Sequence, residues 1–240
     1  MALRVLKGSI AGFKRRRAEA SFVFTDSDRD GLGVIAIAAS LTGLSGQAIG
    51  TAHAAGSTEE EADFLEFEIE GKPTRGWVWR NPFKEGDSVE VVCEEKGDHW
   101  EILAISQPSD RKIALYPHCS RGKFAHWQNA LKWWFFGTSV FLLIGGLFLE
   151  VVSFLAESRS AFFGGGGGGL VVFLLAFFYS VFALMTWALA RKWMPFVRLS
   201  EKVFAALGLE DPSKIDLVKS SKAQRRPDDP PEYGVFYFRY

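Results

Sequence analysis

The chain has 240 residues, with 28 basic and 28 acidic side chains and 48% hydrophobic residues, among them 22 Phe and 8 Trp. The balanced charge lacks the basic excess of a nucleic-acid-binding protein. Two cysteines, Cys93 in a strand-like run and Cys119 in a loop, are too few for a disulfide scaffold or a metal site and are expected as free thiols.

Residues 1–14 lack an apolar run of signal-peptide length with a small-residue cleavage site, so no cleaved targeting signal is expected. Residues 5–13 and 20–25 read as strands, with the basic cluster Lys14, Arg15, Arg16 and Arg17 as a solvated turn between them and residues 26–31 closing the hairpin. Asp26, Asp28, Asp30 and Gly31 match the first half of a calcium loop. The twelfth position, which supplies a bidentate Glu in such loops, is Ile37, so an acidic, helix-capping turn is the better reading and no metal is expected. Residues 32–56 are rich in Ala, Gly, Ser and Thr and carry no charge, which predicts a helical insertion packed on the β-domain or on a membrane.

From Asp63 the chain alternates: Leu65, Phe67 and Ile69 against Glu66, Glu68 and Glu70, before a turn at Gly71, Lys72 and Pro73. Further strands are predicted at 77–80, 88–93, 100–105 and 112–116, with turns at 84–87 and at Gly97 and Asp98. About seven short strands at regular spacing predict a small antiparallel barrel of OB-like or SH3-like kind over residues 1–120.

Charge then almost disappears. Residues 133–156 are apolar apart from Glu150 and residues 170–190 carry no charge, so each meets the length of about 20 residues needed to cross a hydrocarbon core. Trp127, Trp133 and Trp134 before the first run, and Trp187 and Trp193 around the end of the second, suit an interfacial aromatic belt. The connection, 157–169, holds six consecutive glycines and belongs outside the hydrocarbon, where bare backbone can find water; no Gly-Lys-Ser/Thr follows, so it is not a phosphate loop. A transmembrane hairpin is therefore expected over 121–192. Arg121, Lys123 and Lys132 precede it and Arg191, Lys192, Arg198 and Lys202 follow, which predicts cytoplasmic termini.

Over 193–240, Phe196, Leu199, Val203, Phe204 and Leu207 recur at helical spacing and predict an amphipathic helix able to lie in the membrane interface, ended by Gly208. Residues 222–232 read as a polar, proline-rich linker, and the aromatic, alternating end 233–240 as a strand that adds to a sheet edge in this chain or in a partner. The architecture expected is thus an α+β membrane protein.

Chemistry is sparse. His118, Cys119 and Ser120 form a reactive-looking string, but adjacent side chains diverge and no third group orients the base, so no catalytic residue and no cofactor are assigned. Glu150 is an ionisable group inside a span, expected as an interfacial anchor or, with Gly145 and Gly146, as a helix contact.

Phe24, Thr25 and Asp30, LTGLSG at 41–46, FKEGDSVEV at 83–91, PSDR at 108–111 and YPHCSRG at 116–122 resemble a family of bacterial membrane proteins assigned as type VI secretion system effectors. The resemblance covers most of the chain and implies a Gram-negative inner-membrane protein linked to interbacterial antagonism, without catalytic residues to carry over. The leading expectation is a non-enzymatic effector whose hairpin perturbs a membrane, with the lipid bilayer as partner and homo-oligomers as a further expectation. The alternative is a resident inner-membrane binding module or immunity protein whose β-domain or C-terminal strand engages a protein; an enzyme using His118 and Cys119 ranks last.

Overall fold

The computed structural model describes residues 3–20, 60–155 and 168–240. The expected strand end at 21–25, the acidic turn at 26–31, the insertion at 32–56 and most of the glycine connection lie outside these residues.

The architecture is α+β. Eight strands, β1 (Arg4–Ser9), β2 (Ala11–Ala20), β3 (Glu60–Ile69), β4 (Lys72–Val78), β5 (Ser88–Lys96), β6 (His99–Gln107), β7 (Lys112–Leu115) and β8 (Tyr237–Arg239), form one sheet. The helices are α1 (Lys123–Leu155), α2 (Gly168–Lys192), α3 (Met194–Ala206) and α4 (Leu217–Ala223). Two compact units result. One comprises Met1–Lys123 with Pro195–Tyr240, the other Phe124–Met194.

The ladder runs β1-β5-β6-β4-β3-β2, with β7 on β6 and β8 on β7. Alternation decides which side chains face inward: Leu65, Phe67 and Ile69 of β3 join Leu6, Ile10, Val89, Val91, Ile102 and Ile105 in the core, while Glu66 and Glu68 stay exposed. The sheet is mixed rather than antiparallel throughout, because β4 and β6 pair parallel, Gly76 opposite Ile102. The nine-residue passage between β4 and β5 and the β5–β6 hairpin together return the chain to β4 in the same direction. Among the described residues the ladder does not close. Its two ends, β1 and β2, are nevertheless one stretch of chain bent at Ile10, whose amide donates to Asp87 O (3.0 Å) and whose carbonyl accepts from Gly86 N (2.9 Å).

The basic cluster expected as a turn lies inside β2. Lys14, Arg15, Arg16 and Arg17 pair in register with Glu66, Leu65, Phe64 and Asp63. An edge strand can carry consecutive charges because side chains on either face reach water; the irregularity falls earlier, between Ala11 and Lys14.

The C-terminal region is part of the sheet unit. The apolar face of α3, with Phe196, Val197, Leu199, Val203 and Phe204, is buried within the protein rather than left for a membrane interface. The expected linker is ordered: Asp216 caps α4 by accepting from Lys219 N (3.0 Å), and beyond it Arg239 reaches back to Asp229 (3.3 Å). Ser221 Oγ accepts from Arg239 N (2.9 Å), which holds β8 where it completes the sheet on β7, so the aromatic tail adds its strand to this chain.

Candidate functional site

The helical unit consists of two helices long and apolar enough to cross a membrane. At 33 and 25 residues they extend about 50 and 37 Å. Their mutual contact is aromatic and hydrogen-bonded: Trp134 Nε1 donates to Tyr179 O (3.2 Å), Ser139 Oγ and Tyr179 OH share a 2.7 Å bond, and the Phe141 ring meets those of Phe178 and Phe182. His126 and the Ala190 carbonyl pair at 3.1 Å near the other end of the contact. Ser139, Ser153 and Ser180 each donate to the carbonyl one turn back, which satisfies their hydroxyls without water. Outward, the surface is apolar almost without interruption, from Phe135 and Phe136 through Leu147 and Phe148 to Phe154, 82% exposed. Exposed apolar patches of this extent mark interaction or membrane-facing surfaces.

Gly145 makes no close packing with α2. A Cβ added there would meet nothing within 4 Å beyond its own helix backbone and neighbours. Gly146 and Glu150 are half-buried on the same helix.

Where the sheet unit runs into α1, residues 118–123 are bonded to the segment that follows the hairpin. Leu217 N donates to Ser120 O (3.1 Å), Arg121 Nε to Asp216 Oδ2 (3.1 Å), Gly122 N to Ile215 O (2.9 Å), and Lys123 N, the first amide of α1, to Glu201 Oε1 (2.8 Å). A carboxylate on that amide also suits the positive end of the helix dipole. Gly122 is the residue the fit requires, since a Cβ would stand 2.6 Å from Ser213 O and overlap Pro212 O. The chain entering the hairpin and the chain leaving it are thereby tied together on one unit.

His118 belongs to this junction. Its ring lies between Trp79 (4.9 Å) and Phe196 (5.1 Å), with Nε2 3.1 Å from Glu60 Oε2. Burial lowers its pKa, opposed by the Glu60 carboxylate. Cys119 is buried with its thiol donating to Phe196 O (3.6 Å), and burial pushes that thiol up, so little of the reactive thiolate forms. His118 and Cys119 thus both meet Phe196 of α3, His118 through its ring, with Trp79 and Glu60 also against it, and Cys119 through its thiol on the Phe196 carbonyl.

The outer edge of the sheet holds the arrangement that sequence reading missed. Asp63 is fully buried, accepts from Arg17 Nε (3.1 Å) and Asn81 N (2.9 Å), and forms an ion pair with Arg15 Nε (3.3 Å). Parity carried the signal: Asp63 shares its phase with Leu65, Phe67 and Ile69, so a carboxylate there points inward and needs partners. On the opposite face, register aligns a row of charges across five strands: Lys14, Glu66, Arg75, Glu101 and Glu94. An open cleft of about 280 Å³ beside it is lined by Gly12, Lys14, Glu66, Glu68, Arg75 and Asp98. Among the described residues, no three His, Cys, Asp or Glu side chains gather as a metal-binding group.

No protein family, curated protein or solved structure matches this chain.

Proposed function

We propose that the chain is a membrane-anchored binding module of a bacterial inner membrane. In this reading α1 and α2 cross the bilayer, and the sheet unit with the C-terminal region presents a protein-binding surface in the cytoplasm. We read the curled sheet as a small barrel-like domain of OB or SH3 kind, on the ground that its two ladder ends are one bent stretch of chain. Cytoplasmic termini follow from Arg121, Lys123, Lys132, Arg191 and Lys192 at the helix ends.

The observation that carries this reading is the junction at 118–123. The chain entering the hairpin is bonded through Arg121–Asp216, Gly122–Ile215 and Lys123–Glu201 to the segment that follows the hairpin, all within one folded unit. Entry and exit segments held together on one folded unit suit a fixed anchor.

A second reading is a non-enzymatic, type VI secretion-associated effector whose hairpin perturbs a target membrane. Glu150, the only charge from residue 133 to 155, favours it, because an ionisable group within apolar helix often marks an ion path or an oligomer contact. It rests also on the family resemblance.

Growth and membrane potential in bacteria expressing the chain separate the two, with a version lacking residues 133–190 as control. Healthy, polarised cells carrying membrane-inserted protein are the expected result. Depolarisation that requires the hairpin overturns the anchor reading in favour of the effector.

A further inference from the structure

Both ends of the sheet ladder expose backbone, but they are treated differently. Near β1, Lys7 N is taken by Glu70 Oε1 (3.0 Å), and at the start of β2 the Glu85 carboxylate accepts from Gly12 N (3.0 Å) and Phe13 N (2.7 Å). These side chains occupy edge amides that would otherwise invite another strand. From Lys14 to Glu19, β2 pairs with β3 on one side and, among the described residues, with nothing on the other, whereas Ala20 is buried.

That open run carries the basic cluster. Four consecutive cations stand against one acid, Glu19, within β2. Alternation sends Lys14 and Arg16 to one face and Arg15 and Arg17 to the other, so positive charge flanks the edge on both sides. The side chains are also positioned. Asp63 holds Arg15 and Arg17 by their Nε atoms while leaving them 40% and 39% exposed, and Arg16 lies over the Phe64 ring at 5.9 Å. Charge that only repels other edges needs no such support. Burying a carboxylate beneath the strand to fix two guanidiniums carries a desolvation cost that simple edge protection would not incur.

We infer that the open edge of β2, Lys14 to Glu19, docks an extended acidic segment of a partner protein, which adds as a strand while its carboxylates meet Lys14 and Arg16. Strand addition supplies affinity through main-chain hydrogen bonds, and the flanking cations select carboxylates at alternate positions. The inference rests on the binding-module reading and names the site and the partner's chemistry.

The test uses the full chain in nanodiscs of neutral phosphatidylcholine and a labelled, end-capped octapeptide of alternating glutamate and valine. Anisotropy should show saturable binding that weakens at least tenfold when glutamine replaces the glutamates. The double variant Lys14→Glu, Arg16→Glu should lose at least tenfold, and the gentler Lys14→Gln, Arg16→Gln pair several-fold, with tryptophan emission unchanged as the check on folding. Hydrogen exchange is the decisive readout: alternate amides of residues 14–19 should slow at least tenfold on binding, which charge attraction without strand pairing does not produce.

Equal binding by the charge-reversed variant, or peptide binding without slowed exchange at 14–19, overturns the inference. So does charge-dependent binding to phosphatidylglycerol vesicles through Lys14 and Arg16 with no peptide binding, which assigns the edge to a lipid surface. Failure of the peptide in cells that remain healthy and polarised removes the docking edge and leaves the module reading standing; depolarised cells remove the module reading whatever the peptide does.

Discussion

Gly76 of β4 passes Ile102 of β6 so closely that a Cβ on Gly76 would stand 2.7 Å from the Ile102 carbonyl oxygen and 2.8 Å from its amide nitrogen. Both contacts are backbone at the last pair of the parallel β4–β6 ladder, where neither strand can retreat without loosening that pairing. Gly76→Ala is therefore expected to destabilise the sheet unit by about 1–3 kcal/mol, the usual cost of overpacking. Urea unfolding followed by tryptophan fluorescence measures it. A change smaller than a few tenths would mean that the strands separate more readily than the register implies.

Glu101 faces Glu94 across the β5–β6 hairpin. Burial, reinforced by Glu94 and opposed by Lys96 and Arg75, pushes its carboxyl up to about 7 from an ordinary 4.5. Glu94 itself is 2% exposed and has neither carboxylate oxygen hydrogen-bonded, although Lys96 Nζ is 3.3 Å away. An acid with a raised folded-state pKa holds its proton more tightly when folded. Its stabilisation is complete below the unfolded value and is lost as pH rises through the folded one, a window from about 4.5 to about 7. Stability from this group should fall by about 3 kcal/mol across that window. Glu101→Gln should remove that component and be the more stable protein at pH 8; parallel pH profiles for the two proteins would refute the assignment.

Cys93 and Cys119 are both buried. Burial pushes the Cys93 thiol up to about 12 and raises that of Cys119 as well, while their sulfurs lie 3.6 Å from the carbonyls of Arg4 and Phe196. Since the thiolate is the reactive form, neither should react with an aromatic disulfide reagent at pH 8 in the folded protein, and both should react on unfolding, at least about 100-fold faster. One rapidly reacting thiol in the native state would contradict this and restore Cys119 as a candidate nucleophile.

The Ser139–Tyr179 hydroxyl pair, 2.7 Å apart, joins α1 to α2. A hydrogen bond between helices in an apolar surrounding averages about 0.6 kcal/mol and reaches about 1.7. Tyr179→Phe and Ser139→Ala should each weaken the hairpin by an amount in that range, and the double variant by less than their sum. Unfolding in mixed micelles provides the cycle; strict additivity would show that the two hydroxyls do not interact.

The two long helices were readable from sequence because the property involved is local. A helix satisfies its own backbone, so a nearly uncharged run of sufficient length defines it without reference to distant residues, as 133–156, interrupted only by Glu150, and 170–190 do. The inward phase of Leu65, Phe67 and Ile69 and the turn at Gly97 and Asp98 were legible for the same reason. Tertiary structure alone decided which distant segments meet. It put Lys14 to Arg17 in an edge strand over Asp63, ran β4 parallel to β6 at Gly76, and returned α3, α4 and β8 to the sheet. A basic run is compatible with a turn or an exposed edge, and an amphipathic helix with lipid or with a protein face. The choice depends on partners that lie, for Ser221 and Arg239 or for Arg121 and Asp216, 18 and 95 residues away along the chain.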